Sequence, residues 1–172
     1  MSARLEILQV CKMRDMIFEK LMCVYEEGNR EKGQRSYPKE SESEQIRLVK
    51  QDFYDYLRHD FFTVAGAKYW ILQVDRQYAC ALRTEPFQDG YLLQALETAP
   101  HLRRRGYAGR LMQYVTTRMH EENSFPIYSH VSKKNTASLA AHKKCGFTRY
   151  KDCATYLDGT ISSEAYTLVH RI

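Results

Sequence analysis

The chain has 172 residues, of which 44% are hydrophobic and 27% are charged, so it can bury one sizeable core as a single domain over residues 1–172, and wholesale disorder is excluded. Because no apolar run is long enough to span a membrane and the first fifteen residues lack a secretory apolar stretch, we expect a cytoplasmic protein without a membrane partner. The net charge of +5 leaves nucleic acid and a polyanionic small cofactor open as ligands.

The first sixty residues predict one edge strand and two helices. The strand covers Leu5 to Val10, and the first helix runs from about Arg14 to Glu26 with apolar residues at helical spacing. The segment from Gly28 to Glu42 is polar and contains glycine and proline, so it is predicted to be a loop. A Ser-x-x-Glu capping box at 41–44 begins a second amphipathic helix, which ends near Asp60.

The rest of the chain combines strands with helices. A hairpin is predicted from Tyr69 to Val74 and from Gln77 to Thr84, followed by a strand from Tyr91 to Thr98. The remaining elements are a helix at 108–119, a strand at 126–131, a helix at 135–144, and strands at 150–156 and 165–169. Elements in this order predict an α/β (α+β) protein with a central mixed sheet flanked by helices.

Between the strand ending at Thr98 and the following helix lies the sequence Arg103-Arg104-Arg105-Gly106-Tyr107-Ala108-Gly109, which is typical of an anion-binding loop. Two glycines and an alanine within four positions allow close backbone approach, and the first N–H groups of a helix have no intrahelical partners. Those donors, the helix dipole and three arginines suit a phosphate or pyrophosphate. The loop completes neither a Walker motif nor a dinucleotide fingerprint.

The loop does match another pattern, in which Arg or Gln is followed three residues later by Gly and two residues after that by Gly or Ala. Arg103, Gly106 and Ala108 occupy these positions. The pattern resembles the signature of the GNAT superfamily, the acyl-CoA-dependent N-acyltransferases, in which this loop and helix start hold the pyrophosphate of coenzyme A.

A second motif of the same superfamily follows at the expected distance. It begins at Asn135, has a small residue at Ser138, and ends with Gly146-Phe147. The resemblance extends over roughly residues 63–150, and two motifs in the right order are more specific than either one.

The resemblance implies the GNAT fold, in which two central parallel strands splay apart to admit the pantetheine arm, and acetyl-CoA as the cofactor with coenzyme A as product. Backbone N–H groups of the strand before the loop polarise the thioester in that family. The residues assigned to the cofactor in this way are Leu96, Glu97, Thr98, Arg103, Arg104, Arg105, Gly106, Tyr107, Ala108, Gly109, Asn135 and Ser138. Asn135 could equally be only the N-cap of the helix that it begins.

Acetylation of an amine needs a general base, because an alkyl ammonium with a pKa of about 10.4 is almost wholly protonated at neutral pH. Several enzymes of the family carry this base on the strand before the loop, at positions that fall on Leu92 and Gln94. Neither residue can take a proton. The catalytic candidates are therefore Glu97 on the same strand and His130, which stands where the ribosomal-protein acetyltransferases place a glutamate.

The family's usual proton donor for the leaving thiolate is a tyrosine, and its position falls on His142. An imidazolium could donate there if its pKa permits, and His130 and His142 could form a relay. Each candidate also has a structural alternative: a strand histidine is often only hydrogen-bonded, and Glu97 could face solvent or bind the acceptor's ammonium. No metal site is predicted, because His142-x-x-Cys145 lacks a second pair at zinc-like spacing.

The sequence therefore predicts an N-acetyltransferase that acts by direct transfer in a ternary complex on a small-molecule primary amine, as a monomer or homodimer. The acidic residues Glu85 and Glu97, expected to be exposed, weakly favour a cationic acceptor. A GNAT-like module that binds acyl-CoA without catalysis is the main alternative, supported by Leu92 and Gln94. A nucleic-acid-binding protein is a distant third, since Tyr107 is a single aromatic residue beside the arginines and gives little support for stacking on bases.

Overall fold

In the computed structural model, which describes residues 4–172, seven strands form a mixed sheet with helices on both faces. The helices are α1 Phe18–Val24, α2 Glu26–Ser36, α3 Glu42–His59, α4 Tyr107–Glu122 and α5 Thr136–Lys144. The strands are β1 Leu5–Val10, β2 Lys68–Val74, β3 Gln77–Phe87, β4 Gly90–Thr98, β5 Ile127–Ser132, β6 Thr148–Lys151, β7 Ala154–Thr155, β8 Ile161–Ser162 and β9 Ala165–His170.

The strand order in the sheet is β1-β2-β3-β4-β5-β9-β6, and β7 and β8 form a separate hairpin. Neighbouring strands are antiparallel, except that β4 and β5 are parallel. The predicted mixed sheet flanked by helices is confirmed. Of the capping box only the N-cap is present: the Ser41 hydroxyl accepts a hydrogen bond from the Glu44 N–H at 3.4 Å, whereas the Glu44 carboxylate binds Arg47.

Alternating side chains of the central strands divide the core between the two faces of the sheet. On one face, Tyr69 and Ile71 of β2 pack with buried residues of α1 and α3. On the other face, Trp70 and Leu72 pack with α4. Residues of α5 pack against this second cluster from its edge. The two faces of the sheet therefore present different surroundings to any ligand that reaches the central strands.

The segment predicted as a loop from Gly28 to Glu42 is largely helical, and that prediction is wrong. Helix α2 has no apolar stripe, so hydrophobic periodicity does not reveal it; its one buried residue is Gly33. A Cβ at Gly33 would lie 3.0 Å from the Gln45 Cβ, so the glycine allows α2 and α3 to approach closely. Gln45 then fixes the connection by donating to the Tyr37 and Glu40 carbonyls, both at 3.0 Å.

The parallel pair β4–β5 is short and then opens. Pairing is limited to three steps, which begin with Tyr91 opposite Ile127 and end with Leu93 opposite Ser129. Beyond these residues β4 continues to Thr98 beside β3 alone. A bulge interrupts the β3–β4 register at this point, where Ala95 has φ +54°. The strands therefore splay apart after Leu93, which is the opening predicted for the cofactor arm.

The two glycines of α2 provide a matched test of this helix. Gly28 is exposed with nothing within 4 Å of a built Cβ, so Gly28→Ala is expected to raise the free energy of unfolding by about 0.5–1 kcal/mol through helix propensity. Gly33→Ala is expected to lower it by about 1–2 kcal/mol, because the added Cβ overpacks the contact with Gln45. Urea unfolding of both variants checks this, and stabilisation by both would contradict the close α2–α3 contact.

Candidate functional site

The predicted anion-binding loop forms the N-terminus of α4. Gly106 is the N-cap with φ +78°, no side chain caps the helix, and a Cβ built at Gly106 meets no atom within 4 Å. The first helical hydrogen bond runs from the Arg110 N–H to the Gly106 carbonyl at 3.0 Å. The N–H groups of residues 107–109 consequently have no intrahelical acceptor and can bind an anion.

This helix start forms one wall of a cavity of about 400 Å³, here called the α4–α5 groove. The other walls are the end of β4 and one face of α5. It is lined by Thr98, Arg103, Arg104, Gly106, Tyr107, Ala108, Gly109, Ala137, Ala140, Ala141, Lys144 and Cys145. The groove therefore joins the two sequence motifs in space.

Seven of the twelve residues predicted for the cofactor line the α4–α5 groove, and five do not: Leu96, Glu97, Arg105, Asn135 and Ser138. The Asn135 side chain accepts a hydrogen bond from the Ser138 N–H at 3.0 Å, so it is the N-cap of α5. Three alanines of α5 line the groove instead. Their spacing at 137, 140 and 141 places them on one helical face, a signal that the sequence contained.

The three arginines of the loop differ in their surroundings. Arg103 forms an ion pair with Glu27 of α2, lies 3.9 Å from Glu97, and donates to the Thr98 carbonyl at 3.3 Å. It thus ties the end of β4 to α2. Arg104 and Lys144 line the groove, and neither has a carboxylate partner within 4 Å among residues 4–172. These two side chains supply its available positive charge.

The β4 bulge is held by a buried chain of hydroxyls. Tyr69 donates to the Tyr25 hydroxyl, which donates to the Ala95 carbonyl, both at 2.7 Å. Burial raises the pKa of Tyr69 to about 12, with Arg83 opposing the shift, so both protons stay in place at neutral pH. The carbonyl of a residue with an unfavourable φ is thereby fixed at the mouth of the β4–β5 opening.

A second cavity of about 350 Å³ reaches the same bulge from the opposite face of the sheet. We call it the Ala95 cavity. It lies beneath α2 and α3, and its lining residues are Tyr25, Asn29, Lys32, Asp52, Phe53, Tyr56, Arg83 and Ala95. Because Thr98 borders the α4–α5 groove and Ala95 borders this cavity, the end of β4 lies between two cavities.

The structure does not bring the two candidate histidines together. His142 of α5 faces the sheet: its Nε2 lies 2.9 Å from the Ser129 Oγ of β5, and its Nδ1 lies 2.8 Å from the Ser138 carbonyl of its own helix. His130, next to Ser129 on β5, points to the other face and packs between Phe87 and Tyr156. The predicted relay between His130 and His142 is therefore wrong.

His142 is poorly placed to donate a proton to a ligand. It is only 2% exposed, both ring nitrogens have partners, and burial lowers its pKa, so the neutral form is favoured. His130 differs, because its buried Nε2 has no hydrogen-bond partner among residues 4–172. Burial lowers the pKa of His130 as well, which leaves a neutral imidazole at pH 7 with one nitrogen unengaged.

The sheet register relates His130 to a family base position. Leu92 pairs with Tyr128, and both pack in the cluster around Phe87. Two residues further along each strand, Gln94 and His130 stand on that same face, on opposite sides of the β4–β5 opening. The Gln94 side chain donates a hydrogen bond to the Glu85 carboxylate of β3. A polar group thus borders the opening on this face.

The two acidic residues expected to be exposed have different environments. Glu85 is only 5% exposed, so the expectation is wrong for it; burial raises its pKa and Arg83 opposes the shift. The Glu97 side chain is 41% exposed. Burial raises the pKa of Glu97 too, and Arg103 opposes this. Glu97 is therefore partly neutralised by an ion pair and faces α2.

Within residues 4–172, no helix is long and apolar enough to cross a membrane. The same part of the chain has no grouping of three His, Cys, Asp or Glu side chains that could bind a metal ion.

Comparisons with known proteins agree with this architecture. The chain aligns over its whole length with three N-acetyltransferases of known structure. The PaiA N-acetyltransferase of Thermoplasma acidophilum, solved with coenzyme A, superposes with a TM-score of 0.68 at 13% identity, covering 98% of this chain and 99% of that one. The Escherichia coli ribosomal-protein-S18-alanine N-acetyltransferase gives 0.62 at 14% identity, covering 98% and 94%. A spermidine N-acetyltransferase SpeG chimera from Vibrio cholerae and hSSAT gives 0.60 at 13%, covering 97% and 95%.

These identities establish the fold alone, and no curated protein sequence shows significant similarity to the chain. The family is shown by the sequence instead. The acetyltransferase (GNAT) family model matches residues 26–147, more than half of the chain and both motifs up to Phe147. The resemblance seen in the sequence is confirmed, and the chain belongs to the acetyltransferase (GNAT) family.

Proposed function

We propose that the protein transfers an acetyl group from acetyl-CoA to the primary amine of a small molecule, by direct transfer in a ternary complex. One observation carries this proposal: two cavities reach the end of β4 from opposite faces of the sheet. A donor in the α4–α5 groove and an acceptor in the Ala95 cavity would meet at the bulge. Such an arrangement suits two substrates bound at once.

The α4–α5 groove has the chemistry that the diphosphate of coenzyme A requires. The uncapped N–H groups of residues 107–109, the open space at Gly106, and the cations Arg104 and Lys144 all favour a phosphate group. The alanines of α5 leave room for a bulky ligand. Acetyl-CoA supplies a thioester-activated acetyl group, so that a C–N bond forms with the amine as the C–S bond breaks and coenzyme A is released.

The segment Leu96–Thr98 would orient the acetyl group through its backbone. It follows the bulge and borders the β4–β5 opening, where β4 has no partner on the β5 side. Backbone N–H groups held by a rigid strand are effective at polarising a carbonyl oxygen. The Tyr69–Tyr25–Ala95 hydrogen bonds would keep this segment in place by fixing the bulge.

His130 is our proposed general base for the amine. It lies on the same face as the Ala95 cavity, its Nε2 is unengaged, and it stands across the opening from Gln94. A neutral imidazole can accept the proton that the amine must lose. Glu97 is the alternative, but its ion pair with Arg103 and its orientation toward α2 make it the weaker candidate. We assign no catalytic role to His142.

A module that binds acyl-CoA without transferring it is the second candidate function. The observation that favours it is the engagement of Gln94 with Glu85, which leaves the family's base positions to an amide and to the apolar Leu92. Such a protein would bind acetyl-CoA and turn over no amine.

We also propose a cytoplasmic location, because all five cysteines are free thiols, which suits a reducing compartment.

Gly106→Asp is expected to abolish cofactor binding, because its carboxylate would lie where the diphosphate binds. In a thermal-shift titration, acetyl-CoA and coenzyme A should raise the melting temperature of the wild type. A ligand concentration of 100 times the dissociation constant raises the free energy of unfolding by about 2.7 kcal/mol. Gly159→Asp is the matched control, since Gly159 also has a positive φ and nothing within 4 Å of a built Cβ. The control should keep the full shift, and a shift retained by Gly106→Asp would refute the assignment of the groove.

His130→Gln is expected to lower kcat by about 10²–10⁴-fold without weakening acetyl-CoA binding. Because the pKa of His130 lies below its usual 6.5, the base is neutral above that pH and is lost progressively at lower pH as it becomes protonated. The acidic limb of the wild-type profile of kcat/KM should therefore disappear in His130→Gln.

Glu97→Gln is the companion variant. It should keep the acidic limb and most of the turnover. If Glu97→Gln loses activity while His130→Gln does not, the base assignment is reversed.

A further inference from the structure

The Ala95 cavity contains a positive charge that the protein itself leaves without a paired carboxylate. Arg83 on β3 stands opposite Gln94, at the edge of the bulge, and its guanidinium lines the cavity. Its Nε is buried and has no hydrogen-bond partner among residues 4–172. No carboxylate of those residues lies within 4 Å of the guanidinium.

Aromatic rings hold this guanidinium in position. Its central carbon lies 5.1 Å from the ring centre of Tyr56, 5.7 Å from that of Phe61 and 5.9 Å from that of Phe53. Cation–π contacts of this kind stabilise a buried charge in part, and the Nε donor stays without a partner among residues 4–172. Glu85, two residues along the same strand, is more than 4 Å away and is engaged by Gln94. The cage therefore orients Arg83, whose charge interacts with the nearby Glu85 carboxylate but forms no direct ion pair with it.

Counted together, the charged residues that line the cavity carry a net positive charge. Lys32 contributes a second cation, and the one carboxylate in the lining, Asp52, is engaged by the Tyr37 hydroxyl. The two cations of the lining, Arg83 and Lys32, thus outnumber its one carboxylate, and the cavity is expected to attract a negatively charged group. A buried N–H donor without a partner, here the Arg83 Nε, is costly unless a ligand binds it, and a planar carboxylate is the group that a guanidinium binds best.

We propose that the acceptor is a small amino acid-like molecule, whose amine is acetylated and whose carboxylate binds Arg83. This inference rests on the proposed function and specifies its substrate. Phe53 and Tyr56 would contact the apolar part of the acceptor, and the cavity volume of about 350 Å³ limits it to a small molecule. The bulge at Ala95 lines the same cavity, so a carboxylate on Arg83 keeps the neighbouring amine at the end of β4.

The proposal replaces the cationic acceptor that the sequence weakly favoured. That expectation relied on Glu85 and Glu97 being free to bind an ammonium. Glu85 is buried and receives the Gln94 hydrogen bond, and Glu97 pairs with Arg103. Neither carboxylate lines the cavity, whereas Arg83 and Lys32 do.

The test compares amines that differ only in the carboxylate: phenylalanine with phenethylamine, tyrosine with tyramine, and leucine with isopentylamine. The kcat/KM of the wild type is expected to be about 10- to 100-fold higher for the amino acid of at least one pair, as a charge-assisted hydrogen bond would give. Arg83→Gln should reduce this ratio to within about threefold, through a higher KM for the amino acid, while KM for acetyl-CoA stays constant. Arg58→Gln, on the exposed surface of α3, is the control and should leave the ratio unchanged.

A second variant and a binding measurement keep the proposal testable if Arg83→Gln is unstable or if no amine in the panel reacts. Arg83→Lys retains the charge and loses the fork, so it should show an intermediate ratio. Calorimetry should show that N-acetyl amino acids bind the protein loaded with coenzyme A, and that both Arg83 variants weaken this binding.

Equal or better turnover of the amines without a carboxylate would overturn the proposal, as would product binding that is absent or insensitive to Arg83. In either case acetyl-CoA binding and amine acetylation can persist, so the proposed function survives. Absence of acetyl-CoA binding overturns both.

Discussion

The arrangement of both cavities depends on the point where β4 stops pairing with β5. Three paired residues hold the strands together, and the close approach of Gly90 to the Pro126 carbonyl fixes where that pairing begins. A left-handed φ at Ala95 destabilises the fold by about 1–2 kcal/mol, and the hydrogen bond from Tyr25 stabilises it by about 0.5–1.5 kcal/mol. The bulge is therefore strained but supported, and its support is a side chain that also lines the Ala95 cavity.

The two faces of the sheet provide different chemistry at the end of β4. On the α4–α5 face, backbone N–H groups and the cations Arg104 and Lys144 face an open groove, which suits a large, hydrated anion. On the other face, Arg83 is surrounded by aromatic rings and is screened much less by solvent. The diphosphate and the carboxylate that we propose as ligands would therefore bind at separate sites, and neither would compete for the other's cation.

The sequence predicted the central strands, the core helices and the anion-binding loop, because these have strong hydrophobic periodicity or glycine patterns. The strand predicted at 150–156 is instead divided between β6 of the main sheet and β7 of the separate hairpin, whose other strand, β8, was missed. The sequence also missed α2, which packs on α3 through the contact of Gly33 with Gln45 and carries exposed ion pairs, neither of which has a periodic apolar signature. The role of Arg83 was not visible either, since one arginine in a strand is unremarkable until burial and aromatic contacts are known. The His130–His142 relay failed because residues only one position apart on β5, Ser129 and His130, face opposite sides.

The helix that the sequence missed connects the two binding spaces. Glu27 in its first turn pairs with Arg103 of the loop, which in turn holds the Thr98 carbonyl. Further along the same helix, Asn29 and Lys32 line the Ala95 cavity. Because Arg103 is occupied in this way, its contribution to the diphosphate site is partly indirect: it positions the loop that carries the backbone donors.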